Sequence, residues 1–427
     1  MTQMTQITLT QINNAFLPAK EITDTEKFAG RKEYVNEAFH ALLSDGTNIA
    51  IVGNRGIGKS SLARQIINIG QGDNSLLEKL EIYHDTKLDF LTIYFACGNS
   101  ITNTNDLLNR LLTTRNCLLE WIYEIPSATK EIAKLNGGLE AGIPKVITAK
   151  LGTDLSTETT ANSSIQSHSI ETIFQNVITD LLKIKIAKNG ILIVVDEFDQ
   201  IKDTSGFSSY LKSLATNTPG LKFCIVGVAQ DIQNLMKEHQ STDRLFAGSV
   251  INLPSMNEEE LTSIIKTAED SIEKHIVFDE SAVKKIVTLS KGHPYIVHLM
   301  GKQTFKTAFL EPKYSIDESY IDSILRGIAE KEADPVLEGR YKKSVASSKQ
   351  REIVLKAFAV SAKADSEILT SDAYRISEEQ GVENASQYVG QLVIEDYGAE
   401  LIKIRERYYR FKDSLFQTYV AARPSIF

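Results

Sequence analysis

One run of residues has the types and spacing needed to hold a chain of phosphates. It reads Gly53-Asn54-Arg55-Gly56-Ile57-Gly58-Lys59-Ser60, with Ser61 next, and it fits the pattern G-x-x-x-x-G-K-[ST]. Glycines let the backbone curl so that successive amide N–H groups point at phosphate oxygens, and a helix that begins there adds its positive N-terminal dipole. Lys59 can reach the β- and γ-phosphates, and the Ser60 hydroxyl can ligate Mg²⁺. We therefore predict that residues 53–61 bind ATP together with Mg²⁺.

A second run places acids at the end of an apolar segment. Asp196, Glu197, Phe198 and Asp199 directly follow the unbroken apolar run Ile191–Val195. A buried parallel strand that ends in an acid presents that acid at the carboxyl edge of its sheet. There Asp196 can hold Mg²⁺, directly or through water, and Glu197 can be the general base that polarises the attacking water. For Asp199, a helix cap or a local ion pair is the simpler interpretation.

These side chains need a sheet that brings several strand ends to one edge. Apolar runs typical of strands occur at 48–52, 90–97, 191–195, 223–228 and 249–253. Helical periodicity separates them, at 34–43, 60–69, 106–122 and 170–186. Strands that alternate with helices predict βαβ units and an open α/β sheet of parallel strands.

After Pro254 the pattern changes to helices, and no further strand is expected before residue 401. We predict helices at 258–276, 280–289 and 294–308, and a charged connecting helix region at 311–347. From about residue 348 there follow three helices, two short strands and a last helix, at 351–360, 370–379, 384–394, 401–405, 408–411 and 414–421. Three helices and a two-stranded wing are typical of a winged helix.

The two motifs together resemble those of the AAA+ and STAND branch of the P-loop ATPases, especially the subgroup of origin-recognition and archaeal initiator ATPases. Phe28-Ala29-Gly30-Arg31-Lys32-Glu33 resembles the F-x-G-R-x-x-E box that lines the adenine pocket there, and Gly292-His293-Pro294 resembles the G-x-P motif of the lid. Asp196–Asp199 is similar to the D-E-x-D acidic motif. The resemblance implies that Phe28, Arg31 and Pro294 lie at the nucleotide.

The resemblance covers nearly the whole chain from about residue 28. It implies an α/β P-loop NTPase fold of the AAA+ type, a three-layer sandwich with a parallel sheet, followed by an α-helical lid and a C-terminal winged-helix domain. We place an N-terminal arm at 1–25, the ATPase core at 26–255, the lid and connector at 256–340 and the winged helix at 341–427. Residues 126–168, rich in Gly, Ser and Thr, form an insertion in the core. The insertion is either disordered excess or an element that orders on binding a partner.

The stretch 239–246 resembles the segment that carries an arginine finger, and it contains Arg244. As a finger, Arg244 would act on the γ-phosphate of a neighbouring subunit, which implies an ATP-dependent homo-oligomer. The alternative is an ordinary surface charge. Two departures from the family pattern favour slow turnover. The strand that begins at Phe223 ends in Gly227-Val228-Ala229-Gln230, without the usual sensor-1 Asn, Ser or Thr, although Gln230 could substitute. Tyr295 stands where a sensor-2 arginine is usual.

The bulk composition limits the class of protein. The 427-residue chain has a formal net charge of −8 and a pI of about 5.6, which excludes a surface given over to nucleic acid but allows a local basic patch. Cys97, Cys117 and Cys224 lack metal-ligand spacing and indicate a reduced protein. The first residues show no signal-peptide pattern, and the apolar runs are too short to cross a bilayer. We expect a cytoplasmic protein without membrane association.

Two functions from different classes fit these patterns. The first is a regulatory ATPase, similar to prokaryotic signalling or defence ATPases, whose conformational change or assembly controls a protein partner. The alternative is an initiator or loader that grips duplex DNA with its winged helix. The third helix of that module, 384–394, has no Lys or Arg, which disfavours contact with phosphates, whereas Lys403, Arg405, Arg407 and Arg410 lie in the wing. A small-molecule kinase is disfavoured because no compact acceptor domain is evident.

Overall fold

The structure, a computed structural model, describes residues 7–122, 169–228, 246, 248–330, 334–361 and 367–427. Two compact units are present. The sheet unit comprises residues 33–52 and 63–252, and the lid unit comprises the residues up to 32, residues 53–62 and those from 253. The whole predicted insertion at 126–168, together with Arg244, lies outside the described residues. The predicted domain boundaries stay predictions.

The sheet unit contains five parallel strands in the order β2-β3-β4-β1-β5. They are β1 (Ile49–Val52), β2 (Phe90–Ala96), β3 (Gly190–Asp196), β4 (Leu221–Gly227) and β5 (Val250–Asn252). Every residue of β1, β3 and β4 is buried, as expected of central strands in a sheet covered on both faces. Parallel strands end at one edge, so the end of β4 lies between the ends of β3 and β1. This confirms the predicted parallel α/β sheet.

Helices flank these strands where the sequence has helical periodicity. Their bounds are Lys32–Leu43, Lys59–Gly70, Ser75–Lys79, Thr104–Thr113, Ile170–Lys183 and Phe207–Asn217. The predicted continuous helix 106–122 is wrong, because the chain is extended at Thr114 and continues in the short turns Arg115–Leu119 and Glu120–Ile122. The Thr113 hydroxyl donates to the Asn109 carbonyl at 2.7 Å, a local bond that competes with helix continuation.

The lid unit is mainly helical. Its helices are Leu9–Ala15, Glu258–Asp270, Glu280–Ser290, Pro294–Leu310, Glu318–Glu330, Pro335–Val345, Lys349–Ser361, Thr370–Glu379, Ala385–Leu392 and Ser414–Ala422. The expectation of no strand between 254 and 401 is wrong. Two short strands, β6 (Val277–Phe278) and β7 (Ser315–Ile316), pair in parallel, and the predicted helix 258–276 ends early because Glu273 and Lys274 adopt left-handed backbone.

The winged-helix part has a three-stranded wing. Its strands are β8 (Ile368–Leu369), β9 (Leu401–Arg405) and β10 (Tyr408–Phe411), in the order β8-β10-β9. The sequence predicted β9 and β10 but missed β8, which has only two residues. One hydrophobic core runs through the whole lid unit and includes Ile264 and Met300 of the lid as well as Phe358 and Phe416 of the winged helix.

The predicted N-terminal arm contains a helix that belongs to this core. Phe16 packs edge-on against Phe305, with ring centroids 5.0 Å apart. A Cβ at Gly301 would lie 2.5 Å from the Phe16 ring, so only glycine lets the aromatic side chain approach this closely. The Leu17 N–H donates to Nδ1 of His298 at 3.3 Å. Residues 9–17 are thereby anchored on the lid helix Pro294–Leu310.

None of the helices within the described ranges combines the length and apolarity that a bilayer span requires.

Candidate functional site

The loop at 53–58 has the curled backbone that the glycine pattern predicts. Gly56 and Gly58 adopt φ of 73° and 99°, in the left-handed region that glycine tolerates. A Cβ at Gly53 would lie 2.7 Å from the Leu253 carbonyl oxygen, too close for any side chain. The helix begins at Lys59, whose ammonium donates to the Asn54 carbonyl at 2.8 Å. Loop, lysine and helix N-terminus are therefore arranged as a phosphate-binding loop requires.

The Arg31 side chain holds this loop by a hydrogen bond to a backbone carbonyl of the loop. It is 4% exposed, and its Nη2 donates to the Ile57 carbonyl at 3.1 Å. Gly30 and Arg31 both have left-handed backbone, and the Arg31 N–H donates to Glu260 at 2.7 Å. The resemblance placed Arg31 at the adenine, and the described contact is with the loop. The buried Phe28 precedes this turn, and its nucleotide role stays a prediction.

The segment before this turn contacts the loop helix as well. The Ile22 N–H donates to the Ser61 hydroxyl at 3.0 Å. Ser60 and Ser61 are half-buried, whereas the Arg55 side chain is exposed. Apart from the buried Ile57, the loop residues that the sequence assigned to phosphate binding thus keep some access to solvent.

The loop also touches the lid and the winged helix. A Cβ built at Gly56 would lie 3.1 Å from Cδ2 of Leu415 and 3.4 Å from Cβ of Tyr295. Leu415 belongs to the winged-helix helix Ser414–Ala422, and Tyr295 follows the buried Pro294 at the start of the lid helix. The sequence did not single out Leu415, because an apolar residue in an amphipathic helix carries no sign of a distant contact.

The Tyr295 hydroxyl donates to the Asp334 carboxylate, the side chain that also caps the helix Pro335–Val345. Burial and this hydrogen bond raise the pKa of Tyr295, so the hydroxyl stays neutral. Tyr295, where the family usually has an arginine, is therefore an uncharged hydrogen-bond donor bound to the N-cap of the helix Pro335–Val345.

At the carboxyl edge of the sheet unit, Asp196 is buried and both of its oxygens are engaged. Oδ1 accepts from the Glu197 N–H at 2.7 Å, and Oδ2 accepts from the Tyr94 hydroxyl at 2.6 Å. Glu197 has a left-handed backbone with φ of 53°, which is strained for a residue with a side chain, and its side chain is exposed. The predicted metal ligand is fixed, while the predicted base faces solvent.

Asp199 lies against the end of β4. A Cβ built at Gly227 would lie 3.3 Å from Oδ1 of Asp199, and Gln200 donates to Oδ2 at 3.0 Å. A side chain at Gly227 would therefore lie in tight contact with this carboxylate. Gln230, the predicted substitute, lies outside the described residues.

The donor set of the predicted metal ligands suits Mg²⁺. Ser60 offers a hydroxyl and Asp196 a carboxylate, and Mg²⁺ prefers one or two protein oxygens with phosphates and water rather than an all-protein cage. Among the described residues, no cluster of three or more His, Cys, Asp or Glu side chains suited to a metal occurs. Burial and the charge of Asp196 raise the pKa of Cys97 to about 12, which keeps this nearby sulfur a neutral thiol.

Comparisons with protein-family models and with curated protein sequences gave no match. Solved structures do match. A Walker-type ATPase of Pyrococcus abyssi is similar with a TM-score of 0.50 and 14% identity, over 94% of this chain and 98% of that one. Cdc6p of Pyrobaculum aerophilum gives 0.45 and 12%, over 96% of each chain. The ORC1 protein of Aeropyrum pernix in complex with DNA gives 0.44 and 13%, over 96% and 95%.

Sheet order, loop geometry and the likeness to the Walker-type ATPase of Pyrococcus abyssi agree on the architecture. The chain has the fold of the AAA+ P-loop ATPases, a parallel α/β sheet followed by a helical lid and a winged helix.

Proposed function

We propose that this protein binds ATP with Mg²⁺ and hydrolyses it slowly, as a regulatory switch. The observation that supports the switch is the position of Gly56 in the phosphate-binding loop, against Tyr295 of the lid and Leu415 of the winged helix. A triphosphate held by the loop would act directly on both. ATP binding would therefore bias the arrangement of lid and winged helix, and hydrolysis would reset it.

In this proposal each predicted site residue has a role. The amides of residues 53–58 and the Lys59 ammonium bind the phosphates, and Ser60 and Asp196 hold Mg²⁺, which when bound neutralises phosphate charge. Arg31 and Ser61 keep the loop in place, and Phe28 and Pro294 lie on the adenine side. Glu197 accepts a proton from the water that attacks the γ-phosphorus, while the bond to the ADP oxygen breaks.

The nucleotide site is tested by calorimetry with magnesium ATP. We expect Lys59→Ala to weaken binding about tenfold to hundredfold, the loss of a charged hydrogen bond. The exposed Lys212→Ala is the matched control and should bind as the parent does. A parent that shows neither heat of binding nor a gain in melting temperature overturns the proposed function.

Hydrolysis is tested separately with Glu197→Gln. The amide keeps the size of the side chain but cannot accept the proton, so phosphate release should fall by about a hundredfold or more while ATP binding persists. Proteins that co-purify with Glu197→Gln are candidates for the unidentified partner, because the stalled state should retain it.

The switch itself is tested by hydrogen exchange in the helix Ser414–Ala422. Exchange there should differ between ATP-bound and nucleotide-free protein, and the difference should shrink in Leu415→Ala. Identical exchange in both states of the parent would remove the switch and leave only an ATPase.

Assembly through Arg244 belongs to the same proposal, although this residue lies outside the described residues. As an arginine finger it would complete the site of a neighbouring copy. Sizing of Glu197→Gln with and without ATP should show an ATP-dependent oligomer that Arg244→Ala loses. A monomer under both conditions overturns the role in trans.

The wing supports DNA binding as a second candidate function. Lys403, Arg405, Arg407 and Arg410 are all exposed there. Glu400, the acid that directly precedes β9, is 3% exposed, and the Arg340 Nε donates to it at 2.9 Å. Its carboxylate is therefore paired with Arg340, whose Nη1 also donates to Asp413 at 2.7 Å. A gel shift with duplex DNA should weaken as salt rises if this candidate holds, and absence of binding at low salt excludes it.

A further inference from the structure

The Asp196 carboxylate is held by a side chain that the phosphate-site motifs do not include. Residues Phe90–Ala96 of β2 pair in register with Gly190–Asp196 of β3, so that Ala96 stands beside Asp196. Tyr94 lies two residues before Ala96 and thus on the same face of the sheet. Its hydroxyl reaches diagonally across the pair and donates to Oδ2 of Asp196 at 2.6 Å.

Tyr94 is itself covered by a cation from the loop helix. The guanidinium carbon of Arg64 lies 3.3 Å from the centroid of the Tyr94 ring, within the range of a cation–π contact. Arg64 follows Ser60 by four residues in the helix Lys59–Gly70, and residues four apart lie on one face of a helix. One helix therefore carries both the predicted metal-ligating hydroxyl and the arginine that stacks on Tyr94.

We propose, on the basis of the proposed function, that Tyr94 is a positioning residue for the metal-ligating carboxylate and that Arg64 holds Tyr94 in place. A carboxylate is free to rotate about its last bond unless hydrogen bonds fix both oxygens. The Glu197 amide fixes one and the Tyr94 hydroxyl the other. A phenol does so without charge, so the negative charge of Asp196 stays available to a cation, as with the outer partners that orient metal ligands elsewhere.

The opposing interpretation is a purely structural bond that holds β2 to β3. The two interpretations predict different effects of losing this hydrogen bond on the Mg²⁺ requirement. A structural bond affects stability alone, whereas a positioning bond affects the concentration of Mg²⁺ that nucleotide binding requires.

The experiment compares the full-length parent with Tyr94→Phe in a titration of Mg²⁺ against a fluorescent ATP analogue, followed by fluorescence. We expect the Mg²⁺ midpoint to rise about tenfold in Tyr94→Phe, the lower end of the effect of removing such an outer partner. Nucleotide affinity in excess EDTA should match the parent, because the phosphate loop is untouched. Tyr83→Phe, at a tyrosine that is 82% exposed, is the matched control and should behave as the parent.

A second variant guards against misfolding of the first. Arg64→Ala should shift the Mg²⁺ midpoint in the same direction by about threefold, and Arg64→Lys, which keeps a cation over the ring, should shift it less. Midpoints within twofold of the parent in both Tyr94→Phe and Arg64→Ala overturn this inference while the proposed function stands. A parent without magnesium-dependent nucleotide binding overturns the proposed function and this inference together.

Discussion

The glycine-rich loop at 53–58 and the Asp196 edge of the sheet differ in what supports them. Segments far away in the sequence support the loop and the start of its helix: Arg31 contacts Ile57, Leu415 lies close to Gly56, and Ile22 contacts Ser61. Asp196 is fixed by the amide of the next residue and by Tyr94 of the adjacent strand. Damage to the lid unit should therefore disturb the loop, whereas the sheet edge should depend on the pairing of β2 with β3 and on Arg64, which stacks on Tyr94. Four substitutions or conditions test this contrast.

Removal of a buried charge should affect the lid unit most. Glu338 is fully buried and accepts from Nη2 of Arg423 at 2.7 Å and from the Tyr419 hydroxyl at 2.7 Å. Glu338→Ala leaves the guanidinium buried without its partner, which should cost about 3–5 kcal/mol of lid-unit stability. Hydrogen-exchange mass spectrometry, which follows each unit separately, should show faster opening in the lid unit.

The matched control is Glu379→Ala, which removes one partner of an exposed ion pair with Arg375. Such a pair contributes about 0.5 kcal/mol or less. If Glu338→Ala opens the sheet unit as much as the lid unit, the contrast between the two supports is wrong.

A substitution at Gly190 should instead destabilise the sheet unit. Gly190, at the start of β3, has φ of 95°, and a Cβ there would lie 2.1 Å from the Gly220 carbonyl oxygen. Gly190→Ala should cost the sheet unit about 2–3 kcal/mol through strain and displaced backbone. The single tryptophan, Trp121, lies in this unit, so its fluorescence in a urea titration reports the loss. Gly339→Ala in a lid-unit helix, where a Cβ meets open space, should be neutral or stabilising.

Acid should weaken the lid unit through His298. Burial lowers the pKa of His298 to about 4 from an ordinary 6.5. Between these values the unfolded chain binds a proton that the folded lid unit does not, so its stability falls as pH decreases from 6.5 towards 4, by roughly 2 kcal/mol. Melting curves at pH 6.5, 5.5 and 4.5 should show a steeper decline in the parent than in His298→Gln. Parallel declines would show that His298 is protonated in the folded state.

The smallest expected effect is a gain in the stability of the sheet unit. Glu197 has a left-handed backbone, which costs a residue with a side chain about 1 kcal/mol, partly offset by the greater chain entropy of glycine. Glu197→Gly should therefore stabilise the sheet unit by about 0.5 kcal/mol while removing hydrolysis. Glu197→Ala keeps the strain and should bring no gain, so equal melting temperatures for the two variants would contradict this account.

The fold and the chemical motifs could be predicted from the sequence because both are local. The run Ile191–Val195 predicts a buried strand by composition alone, and it forms β3 with Asp196 at its end. Gly56 and Gly58 indicate positive φ, and both adopt it. Local patterns of this kind need no knowledge of distant neighbours.

The supports of the site could not be predicted, since they depend on which strands pair and what packs at long range. Tyr94 is an ordinary aromatic residue in a strand until the pairing of β2 with β3 places its hydroxyl at Asp196. The break at Thr114 also escaped prediction, because apolar periodicity continues across it while the backbone does not. Very short strands such as β6 and β7 carry too few residues to show alternation.

The single core that lid and winged helix share limits how evolution or engineering can rearrange this protein. The winged helix cannot be exchanged alone by recombination. Phe358 and Phe416 would then lose the lid side chains against which they pack. A functional graft from another protein would have to carry both pieces together. For the same reason, a load applied to the wing is transmitted through packed side chains to Leu415, which touches Gly56. A force on the wing would therefore reach the glycine-rich loop at 53–58.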